Sequence, residues 1–361
     1  MNWKLTNLAG AIVITALLGC DAGSQTEVAT VAPDALVAAL ASLPLGLDIE
    51  EAQIPDDNQL KGPTGAAKVD LGKHLYFDKR LSVDNTVSCA SCHAPDKGWS
   101  NGADVATGVE GKKGGRSSPT IINRLFSKAQ FWDGRAASLE EQALGPIANP
   151  IEMNLPVAEA VKRVAAIDGY KAKFTAAFGD AEVTDARIGQ AIASFERTIV
   201  SGNSPFDKWQ AGQKDALSES AARGRAIFFD NNKGRCSICH AGSNFTDEKF
   251  HNIGVGGDQA DFATAHAGRF EVTKNPADLG AYKTPTLRNI ADTAPYMHDG
   301  SEATLEDAVE FYVKGGHPNA ANLDKEMKKL ELTDQDKKDL VEFMKALSGD
   351  VTQVNEPAPL Q

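Results

Sequence analysis

The stretch SCASCHAPDKGWSNGADVATGVEGKKGGRSSPT, residues 88–120, contains the motif on which the fold prediction depends. It opens with Cys89, Cys92 and His93 in the spacing C-x-x-C-H, which is the attachment signature of a c-type haem. In such a motif the histidine takes one axial position of the iron. The rest of the stretch contains no histidine, so this loop has no imidazole for the opposite face. The stretch therefore predicts a haem with one side open.

A second copy of the motif, formed by Cys236, Cys239 and His240, follows later in the chain. Disulfides are compatible with an exported protein, and zinc binding is another use of CxxC pairs. Ligands on adjacent residues, such as Cys92 and His93, fit one tetrahedral zinc ion poorly. Two attachment motifs in one exported chain predict two covalently bound haem c groups.

The N-terminus has the features of an export signal. Lys4 precedes the apolar run Leu8–Leu18, which is too short to span a bilayer. The run ends in Leu17-Leu18-Gly19-Cys20, which is similar to a bacterial lipoprotein box. This pattern predicts a periplasmic protein with lipid attached to Cys20. The alternative is ordinary signal cleavage near an incidental cysteine.

The charge of the chain limits its partners. Lysine and arginine together number 37, and aspartate and glutamate number 49, which gives a net charge of −12 at pH 7. This charge argues against nucleic acid as a partner and suits a protein that docks a small basic protein. Membrane contact is expected only through the lipid anchor.

The chain also repeats itself around the two motifs. Similar segments precede and follow them in pairs: Gly72–Asp78 with Gly224–Asp230, Pro119–Asn123 with Pro285–Asn289, and Trp132–Gly134 with His298–Gly300. The pairs that follow the motifs share one offset of 166 residues. Self-similarity of this kind indicates two copies of one structural unit.

The secondary structure is predicted to be mostly helical. Ser138 and Thr304 each begin an S/T-x-x-E/D capping box, followed by apolar residues at helical spacing. We expect Gly145-Pro146 to end the first of these helices and Gly315-Gly316 to end the second.

The predicted fold class is mainly α, with two haem domains related by internal duplication. The turn Asn203-Ser-Pro205 is the expected boundary between them. The predicted divisions are a signal peptide 1–20, a tether 21–45, an N-terminal domain 46–203, a C-terminal domain 204–350 and a tail 351–361.

Further segments make the chain resemble the bacterial di-haem cytochrome c peroxidase and MauG family. They are Phe131–Ala136, Gly145–Met153, Asn203–Phe206 and Thr293–Tyr296, together with the two CxxCH motifs. The similarity extends over about residues 55–348. It implies two cytochrome c-like domains, a first haem that reacts with peroxide, a second haem that transfers electrons, and a calcium ion between the domains.

The resemblance also implies roles for individual residues. His93 and His240 match the proximal ligands of the two irons, and Trp132 matches a tryptophan between the haems. Gln142 and Glu152 match the distal pair at the peroxide-binding iron. A carboxylate there can move a proton from the near to the far oxygen of peroxide. From the residues alone, the alternatives are a solvated Glu152 and a Gln142 that only satisfies a buried hydrogen bond.

The implied calcium site departs from the family pattern. Thr293 and Pro295 match ligands that act through backbone oxygens. The asparagine expected after Arg116 is Ser117 here, and its shorter side chain is expected to reach calcium only through water.

The opening loop contains a second departure. Many members of the family have a histidine there that caps the first iron until the second haem is reduced. The matching place is near Val109, in Gly108–Gly111, where no histidine is available. We therefore expect the oxidised protein to be ready for peroxide without prior reduction.

The third departure concerns the second haem. Typical peroxidases of the family have a methionine ligand there, whereas the matching residue is Tyr312, as in MauG-like members. A phenolate is anionic and favours ferric iron, whereas a thioether raises the potential. Met297 is the rival ligand, but the repeat pairs it with Phe131, which indicates a packing position.

Together these features predict an enzyme that reduces hydrogen peroxide with electrons from a small cytochrome c or a cupredoxin. One alternative is a MauG-like enzyme that uses peroxide to oxidise side chains of a partner protein, and Tyr312 favours that branch. The other is an electron carrier without catalysis. A homodimer is compatible with the sequence.

Overall fold

Residues 43–55, 62–317 and 320–361 are described by a computed structural model of the chain. The signal peptide 1–20, Cys20 and nearly all of the tether 21–45 lie outside these residues. Within the described ranges, no helix combines the length and the apolar character needed to cross a bilayer.

Helices dominate the structure, as predicted. The α-helices of the described ranges are α1 (Gly62–Phe77), α2 (Cys89–Cys92), α3 (Leu139–Ala148), α4 (Val157–Ala165), α5 (Asp168–Phe178), α6 (Asp185–Glu196), α7 (Pro205–Gln210), α8 (Glu219–Phe229), α9 (Phe262–Ala265), α10 (Phe270–Thr273), α11 (Leu305–Lys314) and α12 (Asp334–Lys345). The strands are β1 (Ser201–Gly202), β2 (Phe250–His251), β3 (Tyr282–Lys283) and β4 (Asp350–Val351). β1 pairs with β4 and β2 pairs with β3, both antiparallel.

Each half is built on a close crossing of two helices. α1 packs against α6 in the first half, and α8 packs against α12 in the second. A Cβ atom at Gly72 would lie 1.8 Å from the carbonyl oxygen of Ala191, and one at Gly224 would lie 1.8 Å from that of Asp339. Only glycine permits two backbones to approach so closely. These glycines begin the paired segments that precede the motifs, so the repeat marks one helix crossing made twice.

The duplication extends to the backbone conformation. Left-handed residues occur in pairs at the offset of 166 residues: Asn123 (φ 59°) with Asn289 (55°), Phe131 (67°) with Met297 (71°), and Gly134 (67°) with Gly300 (68°). α3 and α11, each of 10 residues, follow these positions. The predicted fold class, mainly α with two halves related by duplication, is confirmed.

The helix starts agree with the sequence prediction more closely than the helix ends. Thr304 forms a complete capping box with Asp307, whereas Ser138 accepts from the Glu141 amide without the reciprocal bond. α11 ends before Gly315, which is left-handed (φ 82°), as predicted.

The prediction that Gly145-Pro146 ends α3 is wrong, because the helix continues to Ala148. A residue before proline usually avoids helical geometry, since its Cβ clashes with the proline ring. Gly145 has no Cβ, so the helix can pass through Pro146 in its last turn. The Asn149 amide then donates to the Gly145 carbonyl oxygen at 3.1 Å.

The last residues of the chain belong with the first core. Val351, Val354 and Leu360, which lie in the predicted tail 351–361, pack against the apolar core formed around α1, α5 and α6. The Gly169 amide donates to the carbonyl oxygen of Gln361 at 2.7 Å. Residues 351–361 therefore complete the N-terminal half rather than extending from the C-terminal one.

A buried ion pair anchors the start of the second half. Arg288 and Asp207 are 1% and 3% exposed, and Arg288 Nη1 lies 2.5 Å from Asp207 Oδ2. Arg288 also donates to the carbonyl oxygens of Gly46 and Ser243. Asp207 accepts from the Ser204 amide at the N-terminus of α7. The pair thus connects the chain before α1, the start of α7 and the loop after the second motif.

We expect Asp207→Asn to lower the free energy of unfolding by about 3–5 kcal/mol, because it leaves the buried Arg288 charge uncompensated. Urea denaturation followed by circular dichroism measures this change. Asp168→Asn removes an exposed partner of Lys171 and should leave the unfolding midpoint unchanged. Equal midpoints for all three proteins would contradict the assignment.

Candidate functional site

All the residues predicted from the sequence to bind a cofactor or to act in catalysis line one cavity of about 590 Å³. They are Cys89, Cys92, His93, Ser117, Trp132, Gln142, Glu152, Cys236, Cys239, His240, Thr293, Pro295, Met297 and Tyr312. Residues from both halves of the chain therefore meet in one space. No disulfide joins the four motif cysteines, so each thiol is available for a thioether bond.

Both motif histidines are oriented to coordinate through Nε2. His93 Nδ1 lies 2.9 Å from the Pro119 carbonyl oxygen, and His240 Nδ1 lies 3.1 Å from that of Phe245. A carbonyl oxygen only accepts, so each Nδ1 donates its proton and the Nε2 lone pair stays free. Burial lowers the pKa of His93 to about 4 and lowers that of His240. Both rings are therefore neutral at pH 7, which is the form that binds iron, and the residues fit a c-type haem at each motif.

Glu152 is the carboxylate predicted for the distal side of the first haem. It is half-buried and accepts a hydrogen bond from Asn149 Nδ2 at 3.1 Å. Burial raises its pKa, and nearby Arg135 and the Asn149 bond only partly oppose the shift. Arg135 is held in turn by Asp133 and by the Phe131 ring, 3.5 Å from its centroid. A carboxyl group with a raised pKa can both accept and donate a proton near neutral pH.

Gln142 lines the same cavity from α3. The roles of Asn149 and Arg135 beside Glu152 were missed by the sequence analysis. Both lie in segments that carry the family resemblance, but no spacing rule shows which side chain they contact.

The opening loop is closed against Glu152 through its backbone. Val109 is fully buried, and its amide donates to the Glu152 carbonyl oxygen at 2.8 Å. A Cβ at Gly108 would lie 2.0 Å from the Ile151 carbonyl oxygen, so only glycine permits this approach. The loop contributes the small residues Ala106, Gly108, Gly114 and Gly115 to the cavity wall.

The two candidate ligands of the second haem both reach the cavity. Tyr312 lies on α11, where burial raises its pKa and the thiols of Cys239 and Cys236 lie near it. At the offset of 166 residues, Tyr312 corresponds to Pro146 of the first half. One structural position therefore holds a phenol in the second half and a side chain without donor atoms in the first.

Trp132 connects the two halves through hydrogen bonds. Its Nε1 donates to the Ser117 carbonyl oxygen at 2.9 Å, and the Ser117 amide donates to the His298 carbonyl oxygen at 2.8 Å. The Lys283 amide donates to the Trp132 carbonyl oxygen at 2.8 Å. The His298 ring lies edge-on to the indole, with centroids 6.5 Å apart, and stacks on Tyr282 at 3.6 Å. The repeat thus brings Trp132 and its counterpart His298 into contact.

The oxygen donors of the implied calcium site lie on the same cavity wall. Thr293 and Pro295 line the cavity together with Ser117. The Ser117 hydroxyl donates to Asn101 Oδ1 and to the Ala103 carbonyl oxygen, each at 3.3 Å. An amide oxygen therefore lies beside the serine that replaces the expected asparagine.

The family pattern described as di-haem cytochrome c peroxidase matches residues 66–215, and the cytochrome c pattern matches residues 221–348. The methylamine utilization protein MauG of Methylophilus methylotrophus is 41% identical over 300 residues, which cover 82% of this chain and 87% of that protein. The chain belongs to the di-haem cytochrome c peroxidase and MauG family. Its halves are two cytochrome c domains, and its two motifs bind two haem c groups.

Other members of the family are similar along most of the chain. The cytochrome c551 peroxidase of Nitrosomonas europaea is 40% identical over 323 residues, covering 87% of this chain and 92% of that protein. The crystal structure of a MauG-like protein associated with microbial copper homeostasis has a TM-score of 0.77 and 33% identity. It covers 86% of this chain and 95% of its own.

Replacing Tyr312 with phenylalanine tests the second axial position. If Tyr312 is the ligand, the low-spin ferric EPR signal of one haem should change and its potential should rise, because an anionic donor is lost. Met297→Leu is the matched control and should leave both unchanged. The opposite result, with Met297→Leu altering the spectrum and Tyr312→Phe silent, would assign the ligand to Met297.

Proposed function

We propose that this protein reduces hydrogen peroxide to water, using electrons from a small cytochrome c or a cupredoxin. The proposal is carried by Glu152, which is half-buried and lies beside the opening loop. Burial raises the pKa of Glu152, and the loop contains no histidine. The family relatives named as cytochrome c peroxidases support the same activity.

Glu152 supplies the proton transfer that this reaction needs. A haem held through His93 supplies, when bound, the redox chemistry that splits the O–O bond. Glu152 accepts the proton of the near oxygen of peroxide and returns it to the far oxygen, which leaves as water. Gln142 orients the peroxide by hydrogen bonding. Two protons and two electrons complete the conversion of one peroxide to two water molecules.

Trp132 is proposed to pass electrons between the two halves. Its indole N–H donates to a backbone carbonyl oxygen, which has no capacity to take the proton away. An oxidised Trp132 would therefore keep its proton and return to the neutral indole by gaining one electron. This property suits a relay that is used repeatedly without net proton transfer.

Oxidation of a partner protein is the second candidate function, and Tyr312 is the observation that favours it. An anionic second ligand stabilises oxidised iron, so oxidising equivalents would be held longer than in a peroxidase with a methionine ligand. The relatives named MauG support this branch equally.

Calcium and location belong to the same proposal. We expect one calcium ion at the backbone oxygens of Thr293 and Pro295, with Ser117 acting through water. Elemental analysis of the dialysed protein, if it found no calcium, would contradict this.

We also expect a periplasmic protein anchored through lipid on Cys20, which mass spectrometry of the mature N-terminus would test.

Adding peroxide and reduced cytochrome c to the fully oxidised protein tests the function. We expect turnover to begin at once, because the opening loop has no histidine to displace. Turnover that begins only after pre-reduction would show that another residue blocks the first haem. Slow turnover, combined with oxidation of a partner protein's side chains, would favour the second candidate.

Replacing Glu152 with glutamine keeps the shape of the side chain and removes its basic function. We expect activity to fall by roughly 10²- to 10⁴-fold with both haems retained. In the wild type, kcat/KM should fall as the pH drops through the raised pKa of Glu152, since the base must be ionised, and this dependence should vanish in the variant. Glu159→Gln, an exchange on the outer side of α4, should change neither quantity. Near-normal activity of Glu152→Gln would reassign the proton transfer.

A further inference from the structure

Two cationic side chains on the cavity wall have no part in the chemistry described above. Arg124, in the first half, and Lys283, in the second, both line the cavity. Lys283 is only 5% exposed, and Arg124 is half-buried. Burial lowers the pKa of Lys283 to about 8, and the nearby positive charge of Arg124 adds to the shift.

Arg124 has neutral hydrogen-bond partners. Its Nε donates to Gln130 Oε1 and its Nη2 donates to the Ala129 carbonyl oxygen, each at 2.9 Å. Across the described ranges of the chain, no carboxylate lies within ion-pair distance of this guanidinium. These bonds fix the orientation of the guanidinium without pairing it to a carboxylate, and the charges of Glu248 and Glu196 act on it only from beyond ion-pair distance.

The nearest carboxylates, Glu196 and Glu248, do not form an ion pair with Arg124. Glu196 lies near Arg124 without bonding to it, and burial raises the pKa of Glu196 to about 7, so it is only partly ionised at neutral pH. Glu248 lies 3.5 Å from Lys283 Nζ, and its oxygens also accept from Ser127 Oγ and the Lys128 amide. Glu248 is therefore shared among three donors.

An unpaired charge in such a place is unfavourable. Removing a cation from water without a partner costs several kcal/mol even after relaxation. Arginine is suited to planar, bidentate recognition of carboxylates. The missing partner of Arg124 is thus an anionic group that enters the cavity as part of the cofactor bound there.

We propose that Arg124, with Lys283 beside it, binds a propionate carboxylate of the haem held through His93. Each haem c brings two propionates into the cavity and is the carboxylate source that the two motifs guarantee. Arg124 belongs to the first half and follows Pro119, whose carbonyl oxygen accepts from His93 Nδ1, and this placement assigns it to the first haem. Gln130 and the Ala129 carbonyl orient the guanidinium for this contact.

The site has a consequence for the electron path. Lys283 is bonded through its backbone amide to the Trp132 carbonyl oxygen, and Trp132, Lys283 and Arg124 all line the cavity. Positive charge there favours the reduced form of the first haem and disfavours loss of an electron from Trp132. The propionate partly neutralises that charge, which links haem binding to the relay. The inference rests on haem content alone and does not require the proposed peroxidase activity.

Spectroelectrochemical titration of the holoprotein tests the proposal without peroxide. In Arg124→Gln, we expect the ferric-to-ferrous equilibrium constant of the first haem to fall roughly tenfold, a shift of about 59 mV for one electron. The propionate bending band in the resonance Raman spectrum should also shift. Arg124→Lys keeps the charge and should largely retain the wild-type potential.

Arg187→Gln is the matched control, because Arg187 lies in the same half, pairs with Asp180 and does not line the cavity. It should leave both readouts unchanged. If Arg124→Gln keeps its haem but shows the wild-type potential and Raman band, the proposal is wrong.

A crystal structure of the wild-type holoprotein decides the question even if the glutamine variant does not fold. We expect a propionate oxygen at about 2.7–3.2 Å from Arg124 Nη1. Water or an inorganic anion in that position would overturn the assignment. Loss of peroxidase activity with this contact present would refute the proposed function and leave the inference standing.

Discussion

The hydrogen bonds around Trp132 are the constraint on which the rest of the site depends. The indole N–H donates to the Ser117 carbonyl oxygen, the Ser117 amide donates to His298, and the Lys283 amide donates to the Trp132 carbonyl oxygen. The two bonds that cross between the halves, donated by the Ser117 and Lys283 amides, join backbone groups only, so the contact between the halves does not depend on side-chain rotamers. It fixes the spacing of the two haem domains at the point where electrons would cross.

The two halves use one architecture for different tasks, and the differences lie at equivalent positions. Trp132 corresponds to His298, and Pro146 corresponds to Tyr312. In the first half the proline has no donor atom for iron, and the glycine before it lets the helix continue past the cavity. In the second half a phenol occupies that position. A duplicated unit can therefore present different donor atoms at one position through single substitutions on a shared backbone.

Much of the fold and of the candidate site could be predicted from the sequence, because the decisive signals are local. The spacing from Cys89 to His93 specifies haem attachment, and the paired segments that begin at Gly72 and Gly224 indicate the duplication, although only the structure shows that these glycines lie at helix crossings. The end of α3 was mispredicted because a rule for proline was applied without considering the missing Cβ of Gly145. Arg124 was missed for a different reason: its importance lies in the absence of a partner, and only three-dimensional placement shows that. The packing of the last residues on the first core is equally invisible to periodicity, since it joins segments far apart in the chain.

That packing also bears on how the protein is made. The chain is synthesised from its N-terminus, and the first core is complete only when Val351, Val354 and Leu360 are in place. We therefore expect the N-terminal half to lack part of its core packing until these residues have been synthesised. Cys89 and Cys92 lie on the wall of the cavity within that half, so we expect the first motif to be more accessible for haem attachment before these residues pack. Folding of the first half and loading of its haem are in this way expected to be coupled through residues 351–361.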